Sequence, residues 1–119
     1  MQQISARDLI GMADLASALA SAAAGAPLPL LLDVREPWEF ALAAIRIDGL
    51  ETRLMPMNGV PERIGELDQS QPVVCICHHG ARSAQVVAFL ERQGFEAVYN
   101  LAGGIDAWSM QFDAAVPRY

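Results

Sequence analysis

Apolar residues in this chain fall into short runs and helical stripes that alternate along its length. Ser5 is placed to cap a helix starting at Ala6, with Asp8 in the first turn, where a negative charge suits the helix dipole. That helical pattern runs on to Ala24, with a break expected near Gly11. Gly25 stops it, and Pro27 and Pro29 make a stiff connector. Leu30-Leu31-Leu32 before Asp33 is short and wholly apolar, the pattern of a strand buried on both faces. Pro37 suits the first turn of a helix through Trp38, Glu39 and Phe40. Asn58 to Leu67 reads as another helix, with Ile64 and Leu67 on one face. Pro72 opens a second buried strand, Val73-Val74-Cys75-Ile76, which ends at Cys77-His78-His79-Gly80-Ala81-Arg82-Ser83. A helix follows whose apolar face is Val86, Val87, Phe89 and Leu90, and Gly94 stops it. Ala97-Val98-Tyr99 is a third strand, Gly103-Gly104 a turn, and Ile105 to Met110 a last helix carrying Trp108. Strands alternating with helices imply an α/β domain with a mainly parallel sheet. Such sheets place their sites at the carboxyl ends of strands, where Asp33 and Cys77 both fall.

Length and composition narrow the classes. The chain has 119 residues, of which 53% are hydrophobic and 18% charged. That is enough to bury a core without disulfides and excludes a disordered chain. The Ala-rich stretch from Met12 to Ala24 is interrupted by Asp14, Ser17 and Ser21, so no run suits a membrane span. The start of the chain lacks a basic secretory leader, and a cytoplasmic location is expected. Net charge is −6 and pI about 4.7. Without a Lys/Arg cluster, nucleic acid and anionic membrane are not expected partners. A small anion is still admitted, because charge and dipoles inside a pocket act over less than the Debye length of about 8 Å.

The two cysteines, Cys75 and Cys77, are too close in sequence for an unstrained disulfide. Cys77 stands where a strand ends and a helix begins. A thiolate is the reactive form of cysteine, and three features favour it here. Unpaired N–H groups of the following helix converge above Cys77. Gly80 lets the backbone turn, and Arg82 brings a permanent charge. We therefore read Cys77 as a nucleophile rather than a small buried hydrophobe, and Cys75, mid-strand, as packing. His78 and His79 with the two cysteines superficially suggest a metal cluster. Four ligands within five residues, alternating between faces, form a poor tetrahedron, so no metal is expected. The histidines are instead expected beside the pocket, one adding positive charge at mildly acidic pH.

Taken in order, these pieces resemble a single-domain rhodanese. The resemblance rests on Leu31-Leu32-Asp33-Val34-Arg35-Glu36, then Trp38-Glu39-Phe40, then Val73 through Ser83, then Asn100 through Trp108. It implies a rhodanese-like domain over 1–119, with a core of about 28–112, an N-terminal helical segment and a short C-terminal tail. It implies a mostly parallel five-stranded sheet flanked by helices on both faces. Cys77 would take a sulfane sulfur from thiosulfate or a persulfide donor and pass it to cyanide or a thiol, with no cofactor. His78, His79, Gly80, Ala81, Arg82 and Ser83 would bind substrate, and Asp33 with Arg35 would support the site structurally. A related group, the cell-cycle dual-specificity phosphatases, has one more residue between Cys and Arg. The spacing from Cys77 to Arg82 matches the sulfurtransferases.

The chain departs from the family pattern at Ala43 to Leu50, where the family commonly has Gly-His-Ile and a Gly-Ala pair. It also carries His78 and His79 where some thiosulfate-using members have Arg or Lys, which weakens the case for a dianionic donor. Met55, Met57 and Trp38 are expected to fill the core. Three other readings compete: a protein-to-protein persulfide carrier within a sulfur relay, a silent interaction domain, and a redox or arsenate-type thiol enzyme. Cys77, Gly80 and Arg82 together argue against the silent module, and the poor reach of Cys75 argues against the redox enzyme.

Overall fold

A computed structural model describes residues 3–22 and 28–119. The elements in chain order are β1 (Gln3–Ile4), α1 (Ala6–Ala22), β2 (Leu30–Asp33), α2 (Pro37–Leu42), β3 (Glu51–Leu54), α3 (Val60–Arg63), β4 (Val73–Ile76), α4 (Ala81–Arg92), β5 (Val98–Leu101) and α5 (Gly104–Gln111). All strands are parallel, in the order β1-β5-β4-β2-β3. No described helix is long and apolar enough to cross a membrane.

Alternation along the central strands sorts side chains into two cores. Leu30 and Leu32 of β2 join Val73, Cys75 and Cys77, and α4 covers them with Val86, Val87 and Leu90. Leu31, Val74 and Ile76 face the other way, under Leu9 of α1 and Ile105 and Trp108 of α5. Both faces of β2 and β4 are thus covered by helices, which is why their sequences are unbroken apolar runs. The sheet register pairs Asp33 with Ile76 and Cys75 with Asn100, so Asp33, Cys77 and Asn100 collect at one end of the sheet.

Several expectations need correcting. Helix α1 passes Gly11 without a break, because a Cβ-less residue on its outer surface costs propensity but blocks nothing. It begins as expected: Asp8 N–H donates to Ser5 Oγ at 3.3 Å, and Ser5 N–H donates to Asp8 at 3.1 Å, a reciprocal cap. The expected stop at Gly25 and the Pro27 end of the stiff connector lie outside the described residues. The segment read as one helix from Asn58 to Leu67 divides into 3₁₀ turns at Met57–Gly59 and Ile64–Glu66 around the single α turn of α3. Pro61 removes an N–H from that run and keeps it short. Two strands, β1 and β3, had no clear apolar signature, since β1 has two residues and β3 reads Glu-Thr-Arg-Leu. Met55 is buried and Met57 packs on the core, as expected, but Trp38 is 61% exposed. The reason is its neighbour: α2 turns Glu39 inward, and the residue before it, about 100° round the helix, faces out.

Candidate active site

Helix α4 opens directly from β4 through the loop Cys77–Gly80. Gly80 holds φ at +108°, a left-handed turn that a side chain would resist, and this aims its N–H back at Cys77 Sγ, 3.0 Å away. The other end of the loop is clamped by α5, whose first free amides donate to loop carbonyls. Ile105 N–H bonds Cys77 O at 2.9 Å and Asp106 N–H bonds His78 O at 3.1 Å. Gly104 makes this approach possible: a Cβ there would stand 2.4 Å from both carbonyl oxygens.

Ser83, one turn into α4, is fully buried and carries its hydroxyl 3.2 Å from Cys77 Sγ. The same hydroxyl bonds the Asn100 side-chain oxygen and lies 3.3 Å from Gly80 O. Asn100 Nδ2 donates to Gly80 O at 3.1 Å, which fixes its amide so that the oxygen faces Ser83. Ser83 has one proton, and Asn100 takes it. The lone pairs of Ser83 then meet the Cys77 thiol, and ionisation of Cys77 would turn that hydroxyl toward the sulfur.

Arg82 does not point at the sulfur. Its guanidinium forks onto Glu39 at 2.7 Å through both terminal nitrogens. Glu39 also accepts from Glu36 N–H at 2.9 Å and from the Tyr119 hydroxyl at 2.9 Å. The Arg82 hydrogen bonds, above all, hold the Glu39 carboxyl well below its ordinary value of 4.5, at about 2. A second pair lies behind it. Asp33 and Arg35 are fully buried, 2.6 Å apart, and Arg35 also donates to Ala43 O at 2.5 Å, Glu39 O at 3.3 Å and Tyr119 Oη at 2.9 Å. This ties the unusual Ala43–Leu50 segment to the site, with Ala43 and Ile45 in the core.

Burial, followed by the neighbouring charge of His79, lowers the His78 pKa, so the neutral ring is favoured. This works against His78 as the histidine that adds positive charge. Its Nε2 is buried without a hydrogen bond, and its ring is stacked between Tyr119 and His79, each at 4.0 Å between centroids. His79 is exposed, its Nε2 3.8 Å from Asp106, which Arg118 holds at 2.9 Å. Among the described residues, His78, His79 and Asp106 come within 4.8 Å of one another as the group with a metal-binding donor set. Their geometry does not fit a metal. The two imidazole planes differ by 22°, so their in-plane lone pairs run side by side, whereas a cation needs them to converge at about 2.1 Å.

Cys75 is fully buried, and burial first, then the Cys77 sulfur, push its thiol upward, away from ionisation. A groove of about 360 Å³ lined by Ile64, Leu67 and Phe95 and one of about 150 Å³ lined by Met57, Val60 and Phe89 include no residue of the Cys77 loop.

Residues 14–111 match the family described as the rhodanese-like domain. The chain belongs to the rhodanese-like domain family. It is 44% identical over 80 residues to a protein named sulfurtransferase from Allochromatium vinosum, covering 67% of this chain and 71% of that one. It is 33% identical over 87 residues to thiosulfate sulfurtransferase GlpE of Stutzerimonas stutzeri, covering 73% and 76%. A rhodanese-like/PpiC domain-containing chloroplast protein of Arabidopsis thaliana is 36% identical over 91 residues, covering 75% of this chain but only 30% of its own length. Among solved structures, a rhodanese-like domain protein from Staphylococcus aureus superposes with a TM-score of 0.70 at 26% identity, covering 91% of each chain.

This rhodanese-like domain brings Gly80 and Ser83 into contact with Cys77, turns Arg82 onto Glu39, and pairs Asp33 with Arg35. Ala81 is exposed at the first position of α4, and His79 stands out in solvent at the rim. Three contributors escaped the sequence reading. Glu39, Asn100 and Tyr119 lie far from Cys77 in sequence, and none announces its partner locally. The Asn100 position could have been found from the β4–β5 register, which sets it beside Cys75.

Proposed function

We propose that this rhodanese-like domain moves a sulfane sulfur through a persulfide on Cys77. The observation that supports this most is the Gly80 N–H at 3.0 Å from Cys77 Sγ, at the N-terminal end of a twelve-residue helix whose dipole favours negative charge. In the first step the Cys77 thiolate attacks the outer sulfur of thiosulfate. The sulfur–sulfur bond breaks, and sulfite leaves with its electron pair. In the second, cyanide attacks the terminal sulfur of the persulfide; thiocyanate departs and Cys77 regains the electron pair as a thiolate. A thiolate acceptor would leave as a persulfide by the same exchange. Gly80 N–H, joined by the Ser83 hydroxyl once it turns from Asn100 to the sulfur, would stabilise the Cys77 thiolate that attacks the donor and that re-forms when the acceptor leaves. Relatives named sulfurtransferase and thiosulfate sulfurtransferase support this class.

A second reading, a carrier that accepts persulfide from another protein, draws on the pairing of Arg82 with Glu39 and on the favoured neutral form of His78. A dianion such as thiosulfate meets little unspent positive charge here. The intact mass of the protein after thiosulfate treatment, then cyanide, separates the readings. A gain of one sulfur, lost as thiocyanate, supports the enzyme. Loading from a persulfide donor alone supports the carrier, and no loading from either refutes both.

A further inference from the structure

One proton beside Cys77 has three acceptors within reach. Ser83 Oγ lies 3.2 Å from Cys77 Sγ and 3.3 Å from Gly80 O, and it also bonds Asn100 Oδ1. Ser83 and Asn100 are both buried, so these groups compete directly. Gly80 O is the weakest claimant. It already accepts from Ala84 N–H and from Asn100 Nδ2, each at 3.1 Å, which fills both of its lone pairs. The choice therefore lies between Asn100 and the sulfur. An uncharged sulfur is a weak acceptor, and the amide oxygen takes the proton. A thiolate is a charged acceptor, and hydrogen bonds to charged groups are the stronger ones. Ionisation of Cys77 thus pulls the hydroxyl away from Asn100 and leaves a buried amide oxygen without its donor, which costs free energy.

We propose that Asn100 is a positioning residue that restrains the ionisation of Cys77, acting through the Ser83 hydroxyl. Its place in the reaction rests on the reading of Cys77 as the sulfur carrier. Asn100 is set for this by two constraints. The β4–β5 register puts it beside Cys75, and its Nδ2 bond to Gly80 O keeps its oxygen toward Ser83. The hydroxyl then turns once in each half of the cycle. When the Cys77 thiolate attacks a donor, its sulfur becomes the neutral inner atom of a persulfide and the charge moves to the outer sulfur. The Ser83 proton returns to Asn100. When an acceptor removes the outer sulfur, the sulfur–sulfur bond breaks, its electron pair returns to Cys77 Sγ, and the proton swings back. Asn100 stores the proton while the inner sulfur is neutral and yields it when that sulfur is charged.

The ultraviolet absorbance of the thiolate follows ionisation without any sulfur donor, with the Cys77→Ser protein as the blank. Asn100→Leu removes the competing acceptor and leaves Gly80 O with its bond from Ala84. The absorbance should then rise at a pH lower by about half a unit to one unit, the equivalent of one hydrogen bond. Arg82 with Glu39, Cys75, His78 and His79 are all retained in this variant, so no ionisable neighbour is exchanged. In a Ser83→Ala background the same replacement should shift nothing, an outcome that a merely structural role for Asn100 would not produce. Asn100→Ala repeats the measurement with a smaller side chain, and circular dichroism checks the fold of each variant. No shift, an upward shift, or a shift that persists without the Ser83 hydroxyl overturns the proposal. The expected shift in a protein that takes no sulfur from any donor would overturn the function and leave Asn100 its hold on Cys77.

Discussion

Replacing Gly104 with alanine tests the coupling between α5 and the Cys77 loop. Gly104 has φ of +60°, where an L side chain costs roughly 1–2 kcal/mol. The added Cβ would lie 2.4 Å from Cys77 O and from His78 O, and 2.6 Å from His78 C. These are main-chain atoms, so no rotamer change can relieve the overlap, and overpacking of this kind costs about 1–3 kcal/mol. Moving the loop instead would break the bonds from Ile105 and Asp106 amides, at about 1 kcal/mol each. A loss of about 2–5 kcal/mol follows, a large share of the roughly 5–15 kcal/mol that stabilises a domain. Gly11→Ala is the matched control. It lies in α1 with nothing within 4 Å of the new Cβ, and should gain about 0.5–1 kcal/mol. Urea unfolding of both variants reads the difference. A Gly104→Ala loss below about 1 kcal/mol would show that α5 does not constrain the loop, and the clamp argument would fail.

Three other perturbations follow from the same geometry. Cys77→Ser should abolish sulfur loading with the fold intact, whereas Cys75→Ser should keep loading and lose about 1–3 kcal/mol by placing a hydroxyl in an apolar core, both read by intact mass and urea melts. Ser83→Ala removes the hydroxyl beside the sulfur and strands the Asn100 oxygen, so single-turnover loading should slow about tenfold; an unchanged rate would leave Gly80 N–H as the sufficient donor. Glu39 is depressed from 4.5 to about 2 by Arg82, so its contribution is complete above about pH 4.5 and fades as pH falls toward 2; it amounts to about 3 kcal/mol, and Glu39→Gln should flatten acid unfolding across that window.

The fold was legible wherever burial is two-sided. Leu30-Leu31-Leu32 and Val73-Val74-Cys75-Ile76 are continuous apolar runs because helices cover both faces of β2 and β4, and those runs alone imply a parallel sheet. The edge strands β1 and β3 carry no such mark. Gln3–Ile4 is too short for any period, and Glu51–Leu54 is only partly covered, so polar residues are tolerated there. Gly80 and Gly94 were readable as punctuation because each takes a positive φ that few other residues accept.

The site was half legible, and the division follows sequence separation. Cys77, Gly80, Arg82 and Ser83 lie within one loop and one helical turn, so their proximity is a consequence of chain geometry. What Arg82 does is decided 43 residues away by Glu39. Glu39 in turn reads locally as the third residue of a capping box on α2, a structural role that is also real, since it accepts from Glu36 N–H. A carboxylate that already explains itself locally gives no reason to look for a distant arginine. Yet that pairing decides the electrostatics of the pocket. With Arg82 answered by Glu39 and Arg35 by Asp33, the guanidinium charges beside Cys77 are spent, and what remains to hold a sulfur anion is the Gly80 amide, the Ser83 hydroxyl and the dipole of α4. Such groups stabilise charge placed on Cys77 without drawing anions in from solution. That is the electrostatic argument behind the proposed carrier reading, in which sulfur arrives at close range rather than as a free dianion drawn in from a distance.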